Sequence, residues 1–421
     1  MKESIKKRIE AVRRGEVLEG YCKVHPYVIP YDWSVVKLGN VTKRTSRPNK
    51  DGQDRPAYSI NNRKGFVPQN EQFEEGSYED LDKSAYKIVR KGEFAYNPAR
   101  VNVGSIGRLR DAEEVAVSSL YVCVSVDGKV DGDYFNAWTK SQDFYKETVR
   151  NTEGSVREYL FYENFANMRI PIPTVAEQQK IAEILETCDR MIELKQSKID
   201  ELNKLKQVCL LEMFPQKGQT IPKRRFPGFS APWEQRKLGE ITESYSGGTP
   251  TAGKKEYYDG NIPFIRSGEI GSDKTELFIS DEGLNNSSAK MVKTGDILYA
   301  LYGATSGEVN ISKLKGAINQ AILAIRPYQN YDSQFLMQWL RKSKETIIGT
   351  YLQGGQGNLS GNIVKELLVD VPTSAEQKQI GNYFANLDNL ITLHQRELAE
   401  VGKYKKALMQ LLLTGLMRVN A

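Results

Sequence analysis

Histidine and cysteine are scarce in this chain of 421 residues. Its two histidines are His25 and His394, and its four cysteines, at positions 22, 123, 188 and 209, form no Cys-x-x-Cys pair. Zinc sites need clustered ligands, and disulfide frameworks need a pattern of paired cysteines. The sequence therefore predicts neither kind of site, and its cysteine usage is typical of a reducing compartment.

Long apolar segments are missing as well. The longest apolar run, LMQLLLTGLM, spans about ten residues, half of what a membrane-spanning helix needs. The N-terminal stretch MKESIKKRIEAVRRGE is too charged for a secretion signal. Residues 1–50 carry twelve Lys and Arg against five Asp and Glu, which favours a polyanionic partner only weakly. We expect a soluble, cytoplasmic protein with no membrane partner.

The most prominent feature of the sequence is an internal repeat. Residues 173–185 read PTVAEQQKIAEIL, and residues 372–384 read PTSAEQKQIGNYF. From Pro173 to Lys206, 13 of 34 residues are identical to the residue 199 positions later. DWSVVKLGNVT (32–42) likewise matches PWEQRKLGEIT (232–242), and the four tryptophans fall into two pairs, 33 with 233 and 138 with 339. A period near 200 is too long for a solenoid and indicates two copies of one globular module followed by a helix.

Each copy predicts a long helix that begins directly after a proline. Thr174 and Thr373 stand three residues before Glu177 and Glu376, the spacing of a capping box. Downstream, apolar residues recur at steps of three and four over about five heptads, which indicates an antiparallel coiled coil with pseudo-two-fold symmetry. Its predicted seam consists of Ile181, Leu185, Ile192, Ile199, Leu202, Ile380, Phe384, Ile391, Leu398, Val401 and Leu408. His394, Cys188 and Cys209 fall in the same pattern and are predicted to pack there rather than to bind a ligand.

The remaining sequence predicts α+β heads joined by irregular segments. Short β-patterns precede helical stretches around Trp138 and Trp339, and Gly-, Asn- and Ser-rich loops separate them. The predicted boundaries are a basic N-terminal segment (1–26), a first head (27–173), a first helix (174–214), a Pro- and Lys/Arg-rich linker (215–232), a second head (233–372) and a second helix (373–421).

The sequence contains no convincing catalytic motif. NPAR (97–100) resembles the Asn/Asp-Pro-Pro-aromatic turn of amino-group methyltransferases, but Ala99 and Arg100 replace its last two residues. YGATSGEV (302–309) is rich in small residues but lacks the Gly-Lys-Ser/Thr ending of a phosphate-binding loop. With His394 in the seam, a Ser-His-Asp site is not supported. We therefore predict no catalytic, metal or cofactor site in the chain.

Several loops instead carry side chains suited to nucleic acid. Arg and Lys can contact phosphates or guanine, and Asn and Gln can pair with adenine. The candidate DNA-binding residues are Arg63, Lys64, Arg100, Asn102 and Arg157 in the first head, and Thr249, Arg266, Tyr302, Gln356 and Asn358 in the second.

Taken together, these motifs resemble the specificity subunit of type I restriction–modification enzymes over essentially the whole chain. The residues that carry the resemblance are FPGFSAPWEQRKLGEI (226–241), SGGTPT (246–251), YYDGNIPFIRSGEI (257–270), GDILYALYGATSGEV (295–309), QGNLSG (356–361) and the repeated PT-x-AEQ. The first head, with YSINNRKGFVPQNEQF (58–73), resembles a different subtype of recognition domain from the second.

This resemblance implies two target-recognition domains, each reading one half of a bipartite site in double-stranded DNA. Because the heads differ in subtype, the site should be asymmetric. The helices would set the gap between the half-sites and dock two modification subunits, which use S-adenosylmethionine to methylate adenine. Restriction subunits would bring ATP-driven translocation and cleavage, so the chain itself would be neither an enzyme nor a cofactor-binding protein.

Two other hypotheses make different predictions. A stand-alone DNA methyltransferase using NPAR, or a nuclease, would bind S-adenosylmethionine or cleave DNA without partners. A purely structural coiled-coil scaffold would show no preference for any DNA sequence even with its partners present.

Overall fold

The computed structural model describes residues 3–14, 16–51, 53–62, 64–72, 83–153, 158–352 and 358–419. The chain forms two compact units, one of residues 1–194 with 397–421 and the other of residues 195–396. Helix α6 (Val175–Glu212) and helix α12 (Ser374–Leu413) each contribute residues to both units. Among the described residues, no helix combines the length and the apolar character needed to cross a membrane.

The first unit contains thirteen strands among its described residues, in two larger sheets and two strand pairs. The strands are β1 (Tyr21–Val24), β2 (Tyr27–Pro30), β3 (Ser34–Lys37), β4 (Thr42–Arg44), β5 (Arg47–Pro48), β6 (Ala57–Asn61), β7 (Gly65–Pro68), β8 (Lys87–Arg90), β9 (Phe94–Tyr96), β10 (Ile106–Arg108), β11 (Glu114–Val117), β12 (Val122–Val126) and β13 (Arg169–Ile172). The sheet orders are β10-β9-β12-β4 and β5-β8-β11-β6-β7, and the pairs are β1-β2 and β13-β3. Apart from the parallel pair β11-β6, the strand pairs are antiparallel.

Among its described residues, the second unit repeats this plan with fewer strands. Its strands are β14 (Glu234–Lys237), β15 (Thr242–Ser246), β16 (Ile262–Ile265), β17 (Phe278–Ile279), β18 (Lys290–Val292), β19 (Ile297–Ala300), β20 (Val309–Ile311), β21 (Gly316–Ile318), β22 (Ile322–Pro327) and β23 (Leu368–Val371). The orders β15-β22-β19-β20 and β17-β16-β21-β18 match β4-β12-β9-β10 and β7-β6-β11-β8, including the one parallel pair, β16-β21. The β1-β2 hairpin and edge strand β5 have no counterpart among the described residues of the second unit.

Both units also contain short helices. Those of the first are α1 (Glu3–Arg13), α2 (Gln69–Gln72), α3 (Gly132–Trp138), α4 (Gln142–Asn151) and α5 (Tyr162–Asn167); those of the second are α7 (Leu238–Ile241), α8 (Asp281–Asn285), α9 (Ser333–Lys342), α10 (Lys344–Tyr351) and α11 (Gly361–Lys365). Asp131 caps α3 and Asp332 caps α9, each accepting hydrogen bonds from first-turn amides. The equivalent helices of the repeat therefore begin in the same way.

The two long helices pack antiparallel within each unit, in agreement with the fold class predicted from the heptads. In the first unit, Ile181 and Leu185 near the start of α6 share a core with Leu412 and Leu413 at the end of α12. In the second unit, the roles are exchanged: Leu202, Cys209 and Met213 near the end of α6 share a core with Ile380, Phe384 and Leu387. Of the predicted seam residues, Ile181, Leu185, Ile199, Leu202, Ile380, Phe384 and Ile391 are buried, whereas Ile192, Leu398, Val401 and Leu408 are half-buried.

Polar contacts join the helices at equivalent places. In the first unit Lys405 binds Asp189, and in the second Lys206 binds Asp388. Lys206 and Lys405 occupy equivalent positions in the 199-residue repeat, and so do Asp189 and Asp388. Lys206 and Lys405 therefore form cross-helix ion pairs at equivalent places in the two units.

In both predicted capping boxes, the hydrogen bond expected of the glutamate side chain is wrong. The Glu177 amide donates to Thr174 Oγ1 at 3.3 Å, as the motif requires. The Glu177 carboxylate, however, accepts from Arg418 at 2.8 Å, and the Glu376 carboxylate accepts from Arg225 at 2.6 and 2.7 Å. Both glutamate side chains are almost completely buried, so an arginine is needed to balance the charge at each helix start.

Candidate nucleic-acid interface

In the first head, two of the predicted residues line one groove. Lys64 and Asn102 both border an open groove of about 1070 Å³. Two loops meet here: a Cβ on Gly107 would come within 3.0 Å of the Gly65 Cα, and Gly104 adopts a φ of +93° against the carbonyl of Asn62. Only glycine permits this approach at low cost, and it brings the two candidate side chains to the same surface.

Arg100 lies in a hydrogen-bonded turn. The Asn97 side chain accepts from the Ala99 amide at 3.0 Å, and the Leu160 amide donates to the Pro98 carbonyl at 3.0 Å. Asn97 thus serves the turn itself, whereas the Arg100 side chain is exposed and makes no hydrogen bond or ion pair with any described residue. Arg63 and Arg157 lie outside the described residues.

Charged side chains that the sequence analysis missed cross the same groove. Asp133 accepts from both Arg108 and Arg110 at 2.5 Å, and Arg110 also binds Glu186 on α6 at 2.6 Å. These bonds connect the sheet of the head to α3 and to the long helix. No local sequence signal joins these residues, because Arg110 and Glu186 are 76 positions apart.

In the second head, Arg266 is held by carboxylates. Its guanidinium binds Glu269 at 2.8 and 3.1 Å and Glu276 at 3.0 Å. The side-chain hydrogen bonds to Glu269 and Glu276 raise the pKa of Arg266, and the bond from Arg266 lowers the pKa of Glu269 to about 2. The contact fixes the turn after β16, so any base contact by Arg266 would compete with two carboxylates.

The other predicted residues of this head lie in surface loops. Thr249 is exposed and donates to Gln320 Oε1 at 2.6 Å. Tyr302 is half-buried and forms an isolated antiparallel bridge with the exposed Asn358. Gln356 lies outside the described residues. Gln320 is a further candidate that the sequence analysis missed, since it becomes apparent only from its contact with Thr249.

Comparison with known proteins decides the family. The family model described as "Type I restriction modification DNA specificity domain" matches residues 30–204 and 231–403, one match for each copy of the repeat. The chain belongs to the specificity subunits of type I restriction–modification enzymes. Its two heads are DNA specificity domains.

Similar proteins agree with this assignment. The type I restriction enzyme MjaVIII specificity subunit of Methanocaldococcus jannaschii is 26% identical over 96% of this chain and 97% of its own length. The EcoR124I/EcoR124II specificity subunit of Escherichia coli is 25% identical over 54% of this chain and 57% of its own length. A crystal structure of the type I restriction–modification S subunit from M. genitalium covers 95% of this chain and 99% of its own, with a TM-score of 0.61 at 14% identity, and so shares its fold.

Within this specificity subunit, the candidate residues differ between the heads. The first offers Arg100 and Asn102 in the loop between β9 and β10, and Lys64 in the turn between β6 and β7. The second offers Tyr302 in the loop between β19 and β20, with Asn358 bridged to it, and Thr249 and Gln320 beside β21. Equivalent strands therefore carry chemically different loops.

Proposed function

We propose that this specificity subunit selects an asymmetric bipartite site in double-stranded DNA, each head reading one half. The observation that carries the proposal is the repeated strand order with dissimilar loops. A repeated scaffold would place two readers in equivalent settings, and loops with different hydrogen-bonding groups would select different bases.

We propose further that α6 and α12 set the gap between the half-sites. α6 has 38 residues and α12 has 40, so each is roughly 60 Å long at 1.5 Å per residue. Successive major grooves on one face of DNA recur about every 34 Å. Helices of this length are sufficient to separate heads that enter different grooves.

Exposed apolar residues on the helices support a docking role for partner subunits. Met191 and Leu390 occupy equivalent positions and are 45% and 44% exposed. Leu194 and Leu393 are also equivalent and exposed, as are Leu205 and Tyr404. A repeated apolar surface suits two copies of one partner. In our proposal these partners are two modification subunits, which bring S-adenosylmethionine and methylate adenine, while restriction subunits bring ATP-dependent translocation and cleavage.

The first test is co-expression with the modification subunit, followed by genome-wide mapping of methylated adenines. The expected result is a single asymmetric motif of two half-sites separated by a fixed gap. A contiguous motif would contradict separate reading by the two heads. Methylation or DNA cleavage by the purified chain alone would favour the enzyme hypotheses instead.

A matched insertion tests the spacer. Seven residues would be added between Ser197 and Lys198 and also between Arg396 and Glu397, positions equivalent in the repeat. Seven residues keep the heptad register and add about 10 Å, or roughly 3 base pairs of gap. The same insertion after the exposed Gly218 in the linker is the control and should leave the gap unchanged. A gap that stays constant in the helix variant would refute the spacer role.

A further inference from the structure

A loop of the second head is packed tightly onto the end of β21. A Cβ on Gly247 would come within 1.9 Å of the Ile318 carbonyl oxygen, and a Cβ on Gly248 within 2.5 Å of the Ser288 side chain. The Gly248 amide donates to the same Ile318 carbonyl at 3.2 Å. The two glycines thus allow a main-chain approach that no other residue would permit, and the position of Thr249 is fixed relative to β21.

This approach places Thr249 beside Gln320. Thr249 Oγ1 donates to Gln320 Oε1 at 2.6 Å, and both residues are exposed. Exposed side chains usually bond to water rather than to each other, because fixing two rotamers costs entropy. The bond orients the Gln320 amide, and its NH₂ group donates to no described residue.

The surroundings suit a DNA backbone. Lys290 on β18 pairs in register with Ile318 and is exposed, so a cation lies on the strand next to the one that leads to Gln320. A lysine in such a place can bind a phosphate and fix the register of the duplex, while the amide contacts a base edge.

We infer that Gln320 reads one base pair of the half-site bound by the second head, donating from its amide NH₂ to N7 of a purine. The inference rests on the proposed function and adds to it a reading residue and a base class. Purine N7 is an acceptor in the major groove for both adenine and guanine, and an oriented amide donor matches it. Thr249 is a positioning residue, which holds Oε1 so that NH₂ faces the base.

The experiment uses the complex with the modification subunits after its motif has been mapped. Each purine of the second half-site is replaced in turn by its 7-deaza analogue, which lacks only the N7 acceptor. For the wild type, one such replacement should weaken binding about 2- to 12-fold, the effect of losing a single hydrogen bond. Gln320→Ala should weaken binding to the natural site to a similar extent and abolish the sensitivity to 7-deaza substitution at that position.

Variants of Thr249 separate positioning from folding. Thr249→Val should reduce both the affinity and the 7-deaza sensitivity at the same position, and Thr249→Ser, which keeps the hydroxyl, should restore them. The matched controls are Thr251→Val and Gln329→Ala, since both residues are exposed and lie outside the pair. Recognition of the first half-site is an internal control in every measurement.

The outcomes distinguish this inference from the proposed function. A bipartite motif with Gln320→Ala indistinguishable from the wild type, or with 7-deaza sensitivity retained in that variant, would overturn the inference alone. The absence of any bipartite motif would overturn both.

Discussion

Each of the two units balances the charge of a buried glutamate with an arginine, but the arginine comes from a different part of the chain in each unit. Each long helix begins with a buried glutamate, Glu177 or Glu376, that requires a cation. In the second unit Arg225 comes from the linker, whereas in the first Arg418 comes from the C-terminal segment. The position equivalent to Arg418 in the repeat is Gln219, so the two arginines are not copies of one residue. The duplication has kept the charge that must be balanced, but not the residue that balances it.

The hydrogen bonds around these glutamates differ too. Trp33 Nε1 donates to Glu177 at 3.2 Å, whereas the indole nitrogen of its equivalent, Trp233, is buried without a partner among the described residues. Arg418 also binds Asp32, a more exposed contact. Glu376 therefore depends more heavily on its single arginine than Glu177 does.

The largest predicted effect follows from this difference. Arg225→Ala should lower the free energy of unfolding of the second unit by about 3–5 kcal/mol, because a buried carboxylate loses its counter-charge. Arg418→Ala should cost the first unit about 1 kcal/mol less, since Trp33 still donates to Glu177 and the bond to Asp32 is a surface contact of little value. Native-state hydrogen exchange read on peptides from each unit provides the two values.

The control is the paired variant Arg225→Met with Glu376→Leu, which removes both charges and should recover much of the loss. A larger loss for Arg418→Ala than for Arg225→Ala would contradict the comparison. Equal losses of stability would show that the hydrogen bond from Trp33 does not stabilise the Glu177 carboxylate.

The second prediction concerns the cross-helix aspartates. Asp388 accepts from Lys206, Gln338 and Arg341, whereas among the described residues Asp189 accepts from Lys405. Burial acts to raise the pKa of Asp388, but the hydrogen bonds and positive charges around it outweigh burial and lower that pKa. Asp388→Asn should therefore destabilise the second unit by about 1.5–3 kcal/mol at pH 7, more than Asp189→Asn destabilises the first.

The pH dependence checks this explanation. A carboxylate with a lowered pKa in the folded protein stabilises the fold above its unfolded pKa of about 3.9 and loses that stabilisation as the pH falls further. The difference between wild type and Asp388→Asn should thus be constant from pH 7 to about 5 and shrink below about 4. A difference independent of pH down to 3 would mean that packing, not charge, is the cause.

Sequence patterns were sufficient to predict the scaffold of long helices and similar modules, because these features produce periodic or repeated residues. The heptads and the 199-residue repeat indicated two long helices and two similar modules, and both are present. The pairing of Lys206 with Asp388 was not predicted, because the two residues are 182 positions apart and the heptad pattern does not fix the register of the two antiparallel helices. The sequence signal available for this pair was that the lysine and the aspartate are each identical in both copies of the repeat.

The surface loops were harder to interpret from sequence. Glu269 lies three residues after Arg266, a spacing that allows an ion pair, so the carboxylates around Arg266 were a local possibility that competes with base reading. Gln320 had no local signal, since its partner Thr249 is 71 positions earlier and depends on the fit of two glycines. Candidate DNA contacts depend on such contacts between residues far apart in the sequence, whereas the formation of the long helices depends on local patterns.

The smallest predicted effect tests where the two units are alike. Tyr96 and Tyr299 lie on the equivalent strands β9 and β19, both are fully buried, and neither hydroxyl has a hydrogen-bond partner among the described residues. Burial raises the pKa of both, to about 12 for Tyr299, so each stays a neutral phenol. Because only an unpaired buried hydroxyl is lost, neither Tyr96→Phe nor Tyr299→Phe should lower the free energy of unfolding.

Each unit offers a matched control for this pair. Tyr134 donates to the Pro171 carbonyl and Tyr245 to the Met291 carbonyl, both at 2.8 Å, and the Tyr245 hydroxyl also accepts from Arg326 at 3.2 Å, so their Phe variants should cost at least about 1 kcal/mol in hydrogen-exchange measurements. A loss of that size for Tyr96→Phe or Tyr299→Phe would instead indicate a bound water on the hydroxyl. A loss in only one of the two would mean that the cores of the heads have diverged as their loops have. Equal, negligible losses would mean that the repeat retains tyrosine for the packing of its ring.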